Sequence, residues 1–236
     1  MATMIYGDIH GFFPDFLEKY NEYRNVVDTC VLAGDQCPWE PLSNITRQMG
    51  CTCFFILGNH DGDQSSYLEN HLSCWENHIH CRVVESAEGI RIAGISGTFE
   101  EEIWYPPEKP RWLTREQFRK FCKTQPRGTV KYHLLHNHLP KRFWPVIFPE
   151  DVDKLKKLQS DVLVCHEAPS CHSLGFDIID EIAEAMNVSV IVHGHHHESY
   201  QGKTRNKIKV IGLNMEDFIL LDRDMVWRWS KGKKGN

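Results

Sequence analysis

The stretch MIYGDIHG, Met4 to Gly11, passes from three apolar residues directly into glycine, aspartate and histidine. The apolar run reads as a buried strand, and glycine lets the chain turn away sharply at its end. The same change recurs four times further along: VLAGDQ ends at Gln36, FFILGNHD at Asp61, DVLVCH at His166 and VSVIVHGHHH at His197. Between the first three runs lie helical patterns, FPDFLEKYNEYR and PLSNITRQMG, so this part of the chain reads as successive βαβ units. Five strand ends each deliver Asp, His or Asn. Open α/β sheets place their ligand-binding loops at such ends.

Past residue 75 the pattern shifts. HCRVVES, GIRIAGIS, KIKVIGL, DFILLD and MVWRW are further strand candidates, several joined too closely for helices, and ESYQGKTRNKIKV reads as a hairpin. A mixed sheet, or two packed sheets, follows from that mixture. The chain has 236 residues, 41% of them apolar and 25% charged, which suits one α/β domain spanning residues 1–229. The beginning MATMIYGDIH is too short and polar for a signal segment, and no apolar run approaches the roughly 20 residues of a membrane span. Nine cysteines without a C-x-x-C pair suit reduced thiols of a cytoplasmic protein, with Cys51 and Cys53 in the core. A net charge of −5 argues against bulk nucleic acid as the main partner. The final SKGKKGN, residues 230–236, reads as a basic, disordered tail.

The strand-end residues form a coherent donor set. Asp8 and His10 are two apart, so extended backbone would point both the same way, and His195 and His197 repeat that spacing. On that alternation His196 points away and His193 stays a strand-end residue. Carboxylate, imidazole and amide oxygen together suit Mn, Fe, Zn, Co or Ni rather than Cu(I) or an iron–sulfur cluster. There are enough donors for two ions. Asp35, on a loop between those of Asp8 and Asn59, is the candidate to bridge them, and Asn59 adds an oxygen without charge.

In this order the pieces resemble the calcineurin-like metallophosphoesterase superfamily. They read Gly7-Asp8-Ile9-His10, Gly34-Asp35-Gln36-Cys37, Gly58-Asn59-His60-Asp61, then His166, then Gly194-His195-His196-His197. The resemblance implies a four-layer α/β/β/α sandwich with two mixed sheets and a site at the strand ends. It implies one ion held by Asp8, His10, Asp35 and His197, and a second held by Asp35, Asn59, His166 and His195, with manganese the first candidate. It also implies hydrolysis of a phosphomonoester or phosphodiester by in-line attack of a metal-bridging hydroxide. His60 would protonate the leaving oxygen, and Asp61 would orient its ring and favour the imidazolium form. A nucleotide is one candidate substrate. The oligomeric state is not legible.

Departures and rivals narrow the reading. GDQCPWE lacks the arginine and further acid of the protein-phosphatase and diadenosine tetraphosphatase branches. Asp63 reads as a cap or solvent residue, and Asn59 as a cap for DQSSYLEN as well as a ligand. In KYHLLHNHLP, His133, His136 and His138 compete with His166, but DVLVC is the cleaner buried strand, which leaves them to a loop or pocket rim. The segment 100–150 holds seven of eleven prolines and three of seven tryptophans. It reads as an excursion that covers a sheet edge or walls the substrate, with TREQFRKFC a short helix capped through Thr114 and Gln117. Arg111, Arg115 and Lys141 are its candidates to meet phosphate. Two other functions stand beside the phosphoesterase. One is a non-catalytic scaffold of the same fold, as retromer's small subunit resembles this family without its catalytic histidine; the other is a nuclease.

Overall fold

The computed structural model describes residues 1–126, 129–225 and 227–230. In chain order the first half runs β1 (Ala2–Tyr6), α1 (Phe13–Tyr23), β2 (Val27–Leu32), α2 (Leu42–Thr46), β3 (Thr52–Phe55), α3 (Ser65–His71), β4 (Val83–Glu85) and β5 (Arg91–Ile95). After the excursion, which carries α4 (Arg115–Thr124), come α5 (Pro149–Leu155), β6 (Val162–Cys165), α6 (Asp177–Ala185) and β7 (Val190–His193). The hairpin β8 (Tyr200–Lys203) and β9 (Lys209–Gly212) precedes β10 (Phe218–Leu221) and β11 (Trp227–Ser230). The tail beyond residue 230 lies outside the described residues.

Both sheets are mixed. One has the order β11-β10-β1-β2-β3, with β1, β2 and β3 parallel and β10 antiparallel to β1. The other has the order β4-β5-β6-β7-β9-β8, parallel from β5 through β9 and antiparallel at both edges. Strand side chains alternate between faces, and that alternation builds the layers. Ile5 of β1, Val162 and Val164 of β6, and Val190 and Val192 of β7 meet Ile211 and Ile219 in the apolar layer between the sheets. Their neighbours face outward: Met4 and Tyr6 pack on Phe13, Phe16 and Tyr20 of α1, while Leu163 and Ile191 pack on Ile179, Ile182 and Ala183 of α6. The result is the expected α/β/β/α sandwich. Truncating a central residue such as Ile211 to Ala would cost about 2–5 kcal/mol.

Local chemistry explains the helices. α1 starts with Pro14 and Asp15 in its first turn, where proline fits and a negative charge meets the helix dipole, and it buries Phe13, Phe16 and Tyr20 along one face. α2 is shorter than the PLSNITRQMG pattern, because Gln48 and Met49 donate three residues back to Ile45 and Thr46 and tighten the end. At α4 the Thr114 hydroxyl accepts from the Gln117 backbone N–H at 3.2 Å, as expected. The Gln117 side chain reaches Leu113 N–H instead of Thr114 N–H, so the reciprocal half of the box is displaced by one residue. The excursion has an apolar cluster of its own, built on Ile103, Phe118, Phe143 and Phe148. It is stitched to the strand-end side of β5 where Ile147 N–H donates to Thr98 O.

Candidate metal centre

The loops after β1, β2, β3, β6 and β7 converge at one end of the two sheets. Backbone hydrogen bonds lock them together: His10 N–H donates to Asp35 O at 2.8 Å, His60 N–H to Asp35 Oδ1 at 2.8 Å, and His195 N–H to Asp8 Oδ2 at 2.9 Å. The approach is close enough to exclude side chains. A Cβ at Gly194 would overlap Asp8 Oδ1, and one at Gly34, where φ is +106°, would overlap His166 Nδ1. The backbone is not extended here. His10, Asp35, His195 and His197 all have positive φ, between 47° and 72°, so the paired ligands of each loop meet through turns rather than by strand alternation.

Two clusters result. In the first, His197 Nε2 lies 3.1 Å from both His10 Nε2 and Asp8 Oδ2, and His10 Nε2 is 3.8 Å from Asp35 Oδ2. In the second, His166 Nε2 is 3.3 Å from Asp35 Oδ2 and 3.1 Å from Asn59 Oδ1. Asp35 borders both. His166 Nδ1–H donates to Ala33 O at 3.0 Å, which fixes the ring and leaves Nε2 facing the carboxylate. Asp8 Oδ1 and Asp35 Oδ2 are buried and accept no hydrogen bond. Unpaired buried carboxylate oxygens are costly, and several imidazole nitrogens already point at the same place. Divalent cations fit this donor set, since each would satisfy the orphaned oxygens and the converging nitrogens together.

The electrostatics favour positive charge at this point. Burial alone would raise Asp35, yet His166, His60 and His10 hold its carboxyl below the usual range. His166 is driven down by burial but up more strongly by Asp35 and Asp8, to about 10. His195 is pushed to about 4 by burial and by His166, so it is a neutral imidazole with a lone pair to offer. His193 is buried, bonded to Tyr200 Oη at 2.7 Å and pushed to about 3, as a strand-end residue outside the centre.

Not every expected position falls into place. His195 lies beside His166, with ring centroids 5.0 Å apart and the rings tilted by 53°, but one of its ring nitrogens groups with Glu167 and His196. The carboxylate at His60 is Asp63, not Asp61: Asp63 Oδ2 is 2.8 Å from His60 Nδ1. Asp61 is fully buried and accepts from Cys37 N–H at 2.7 Å and Gly58 N–H at 2.9 Å, tying the β2 and β3 loops together. The cause is the 3-10 turn Asn59–Gly62, which brings Asp63, three residues on, beside His60 and turns the intervening Asp61 inward. That turn also removes Asn59 from the cap of α3, whose N-cap is Gln64.

Of the three basic candidates, Lys141 touches the site's edge, donating to the Asp63 carbonyl. Arg115 does not face it. Arg115 is bound to Asp151, Glu150 and Val146 O, away from the metal-type residues. Arg111 is exposed, and its backbone N–H donates to Ile103 O. His133, His136 and His138 are exposed, and His136 pairs with Glu69 at 3.3 Å. A cleft of about 730 Å³ lies between the excursion and residues 72–80, lined by Trp75, His78, Arg115, Arg119, His138 and Trp144. None of the seven metal-type residues lines it.

Fold and donor set together define an α/β/β/α protein with a metal-type site at its strand ends. The chain belongs to the calcineurin-like phosphoesterase family, whose model matches residues 1–199. An uncharacterized protein of Haemophilus influenzae is 33% identical over 211 residues, 88% of each chain. Among solved structures, a protein of Thermus thermophilus superposes with a TM-score of 0.59 at 12% identity, covering 98% of this chain and 99% of that one. A dimetal phosphatase from Danio rerio superposes with a TM-score of 0.57 at 11% identity, covering 93% and 95%. At such identities the likeness is one of fold. Among the described residues, no helix is long and apolar enough to cross a membrane.

Proposed function

We propose that this chain is a metal-dependent phosphoesterase with two divalent cations, hydrolysing a phosphomonoester or phosphodiester. The observation that carries the reading is the pair of buried, unbonded oxygens, Asp8 Oδ1 and Asp35 Oδ2, on carboxylates that imidazoles approach closely: His197 Nε2 is 3.1 Å from Asp8 Oδ2 and His166 Nε2 is 3.3 Å from Asp35 Oδ2. Asp8, His10, Asp35 and His197 would hold one cation; Asp35, Asn59, His166 and His195 the other. Manganese is the first choice, with Fe, Zn, Co and Ni compatible with the same donors. Such a pair lowers the pKa of water and neutralises charge on phosphoryl oxygens.

The chain's own groups then have defined work. His60 is half exposed at the rim, with Nδ1–H held by Asp63 Oδ2, so Nε2 is the nitrogen that gives a proton to the leaving oxygen. Lys141 steadies that arrangement through the Asp63 carbonyl. Residues 1–229 act as one domain, with the 100–150 excursion flanking the rim. Its own apolar cluster supports a packing role for most of it. The nine free cysteines support a cytoplasmic setting.

The test is hydrolysis of paired monoester and diester chromogenic substrates with Mn²⁺, alongside a nucleotide and cyclic-nucleotide panel, with His60→Ala as control. Turnover lost in the variant supports the reading. Metal-loaded protein that turns over nothing in the panel points to the scaffold function instead, and cleavage confined to polynucleotides to a nuclease.

A further inference from the structure

Beside the paired-cation centre, the residues one step beyond His166 and His195 come together. Strands β6 and β7 are parallel neighbours, with Cys165 paired to His193, so the loops after them run side by side. Glu167 Oε1 lies 3.7 Å from His196 Nε2, and ligand atoms of Glu167, His195 and His196 all lie within 4.8 Å of one another. Glu167 is 3% exposed. Among the described residues its ion-pair partner is His196, and no lysine or arginine is paired with it. Its oxygens accept from Phe99 N–H and Ala168 N–H, which fixes the carboxylate's aim. His196 is held from behind by His172, stacked at 4.1 Å and 14°. His196 Nε2 is nonetheless buried without a hydrogen-bond partner.

We propose that Glu167 and His196, together with the ring nitrogen of His195 that does not serve the paired centre, form a third site for a divalent cation of the zinc type. Two imidazoles and one carboxylate are a standard zinc donor set, leaving a fourth position open. Bonds of about 2.0–2.2 Å in a tetrahedron put ligand atoms roughly 3.4 Å apart, close to the Glu167–His196 separation. The carboxylate is oriented by two backbone N–H groups and one imidazole by a stacked ring, the outer support that metal ligands commonly have. The orphaned His196 nitrogen is the feature that a simple glutamate–histidine pair leaves unexplained. The site adjoins the paired centre through His195 but does not need Asp35, Asp8 or His10.

The full-length protein and its Asp35→Asn, His196→Asn and doubly substituted variants are each saturated with Zn²⁺, freed of excess and assayed by elemental analysis. Three equivalents are expected in the wild type, two in His196→Asn, one in Asp35→Asn and none in the double variant. Co²⁺ loaded into Asp35→Asn should show the visible absorption of a four-coordinate ion, lost on the second substitution. Glu167→Gln, with far-UV circular dichroism confirming the fold, should lose the same single equivalent. Equal zinc content in wild type and His196→Asn overturns the third site. Equal content in wild type and Asp35→Asn instead overturns the paired-cation reading, so the two failures are distinct.

Discussion

His10 Nε2 lies 3.1 Å from His197 Nε2, although the two residues are 187 apart in the chain. One shared proton can join them, but Asp8 Oδ2 stands 3.1 Å from the same His197 nitrogen and Asp35 Oδ2 3.8 Å from the His10 nitrogen. A cation would satisfy all four atoms at once. Asp35 also borders the second cluster at His166, whereas His10 belongs to the first alone. Asp35→Asn should therefore lower the bound metal by two equivalents, while His10→Ala should weaken one equivalent tenfold or more and leave the other. Equilibrium dialysis against Mn²⁺ with elemental analysis reads this. Retention of both tight ions in Asp35→Asn would defeat the bridging assignment.

The neighbours of His60 separate chemistry from architecture. Asp63 holds the His60 ring, so Asp63→Asn should lower kcat about 10-fold with KM little changed, and His60→Ala should lower it about 10²–10⁴-fold. Asp61→Ala should act on the fold, because it strands two buried backbone N–H groups at a cost of about 2–4 kcal/mol. Steady-state kinetics and urea unfolding on the three variants read the difference. A normal midpoint for Asp61→Ala, with kcat lost, would restore Asp61 as the orienting residue.

That division was only partly legible in the sequence. The strands could be read because apolar runs end abruptly at glycine and a polar donor, and because Ile5, Val164 and Val192 alternate with their neighbours as a two-sided strand requires. The partition into two sheets could not, since β10 joins β1 across more than 200 residues and nothing local announces that partner. The metal-type histidines were identified on an extended alternation that the backbone does not follow: positive φ at His10, His195 and His197 brings them together by turning. Asp63 was missed because the 3-10 turn that sets its three-residue spacing from His60 leaves no apolar periodicity. Glu167 and His196 had a usable signal. Each directly follows a metal-type histidine at the ends of strands that prove to be neighbours.

Close packing at Gly194 gives a prediction that leaves every metal-type residue in place in the sequence. A side chain there would collide with Asp8 Oδ1, and Asp8 is also fixed by His195 N–H, so the carboxylate cannot simply move aside. Gly194→Ala should displace Asp8 and lower Mn²⁺ affinity at least tenfold, with the apolar layer between the sheets intact. Isothermal titration together with near-UV circular dichroism checks this. Wild-type affinity in a folded Gly194→Ala variant would mean the loop yields more easily than its hydrogen bonds imply.

Acid stability should carry the mark of His71. Its ring is fully buried under α3, between Tyr67 O at 2.7 Å and the Gln36 amide at 3.0 Å, and burial pushes it from an ordinary value near 6.5 down to about 4. The native state therefore keeps His71 neutral where the unfolded chain already takes up a proton. Stability is flat in this residue above about pH 6.5 and is lost as pH falls from 6.5 towards 4, by up to about 1.4 kcal/mol per pH unit. Below that window both states are protonated and the slope vanishes. A glutamine at this position retains hydrogen-bonding groups but cannot titrate, so His71→Gln should unfold in less urea at pH 7 yet lose less stability between pH 6.5 and 4.5. Urea midpoints of both proteins across that range are the measurement. Parallel pH dependences would show that His71 is not a source of the acid sensitivity.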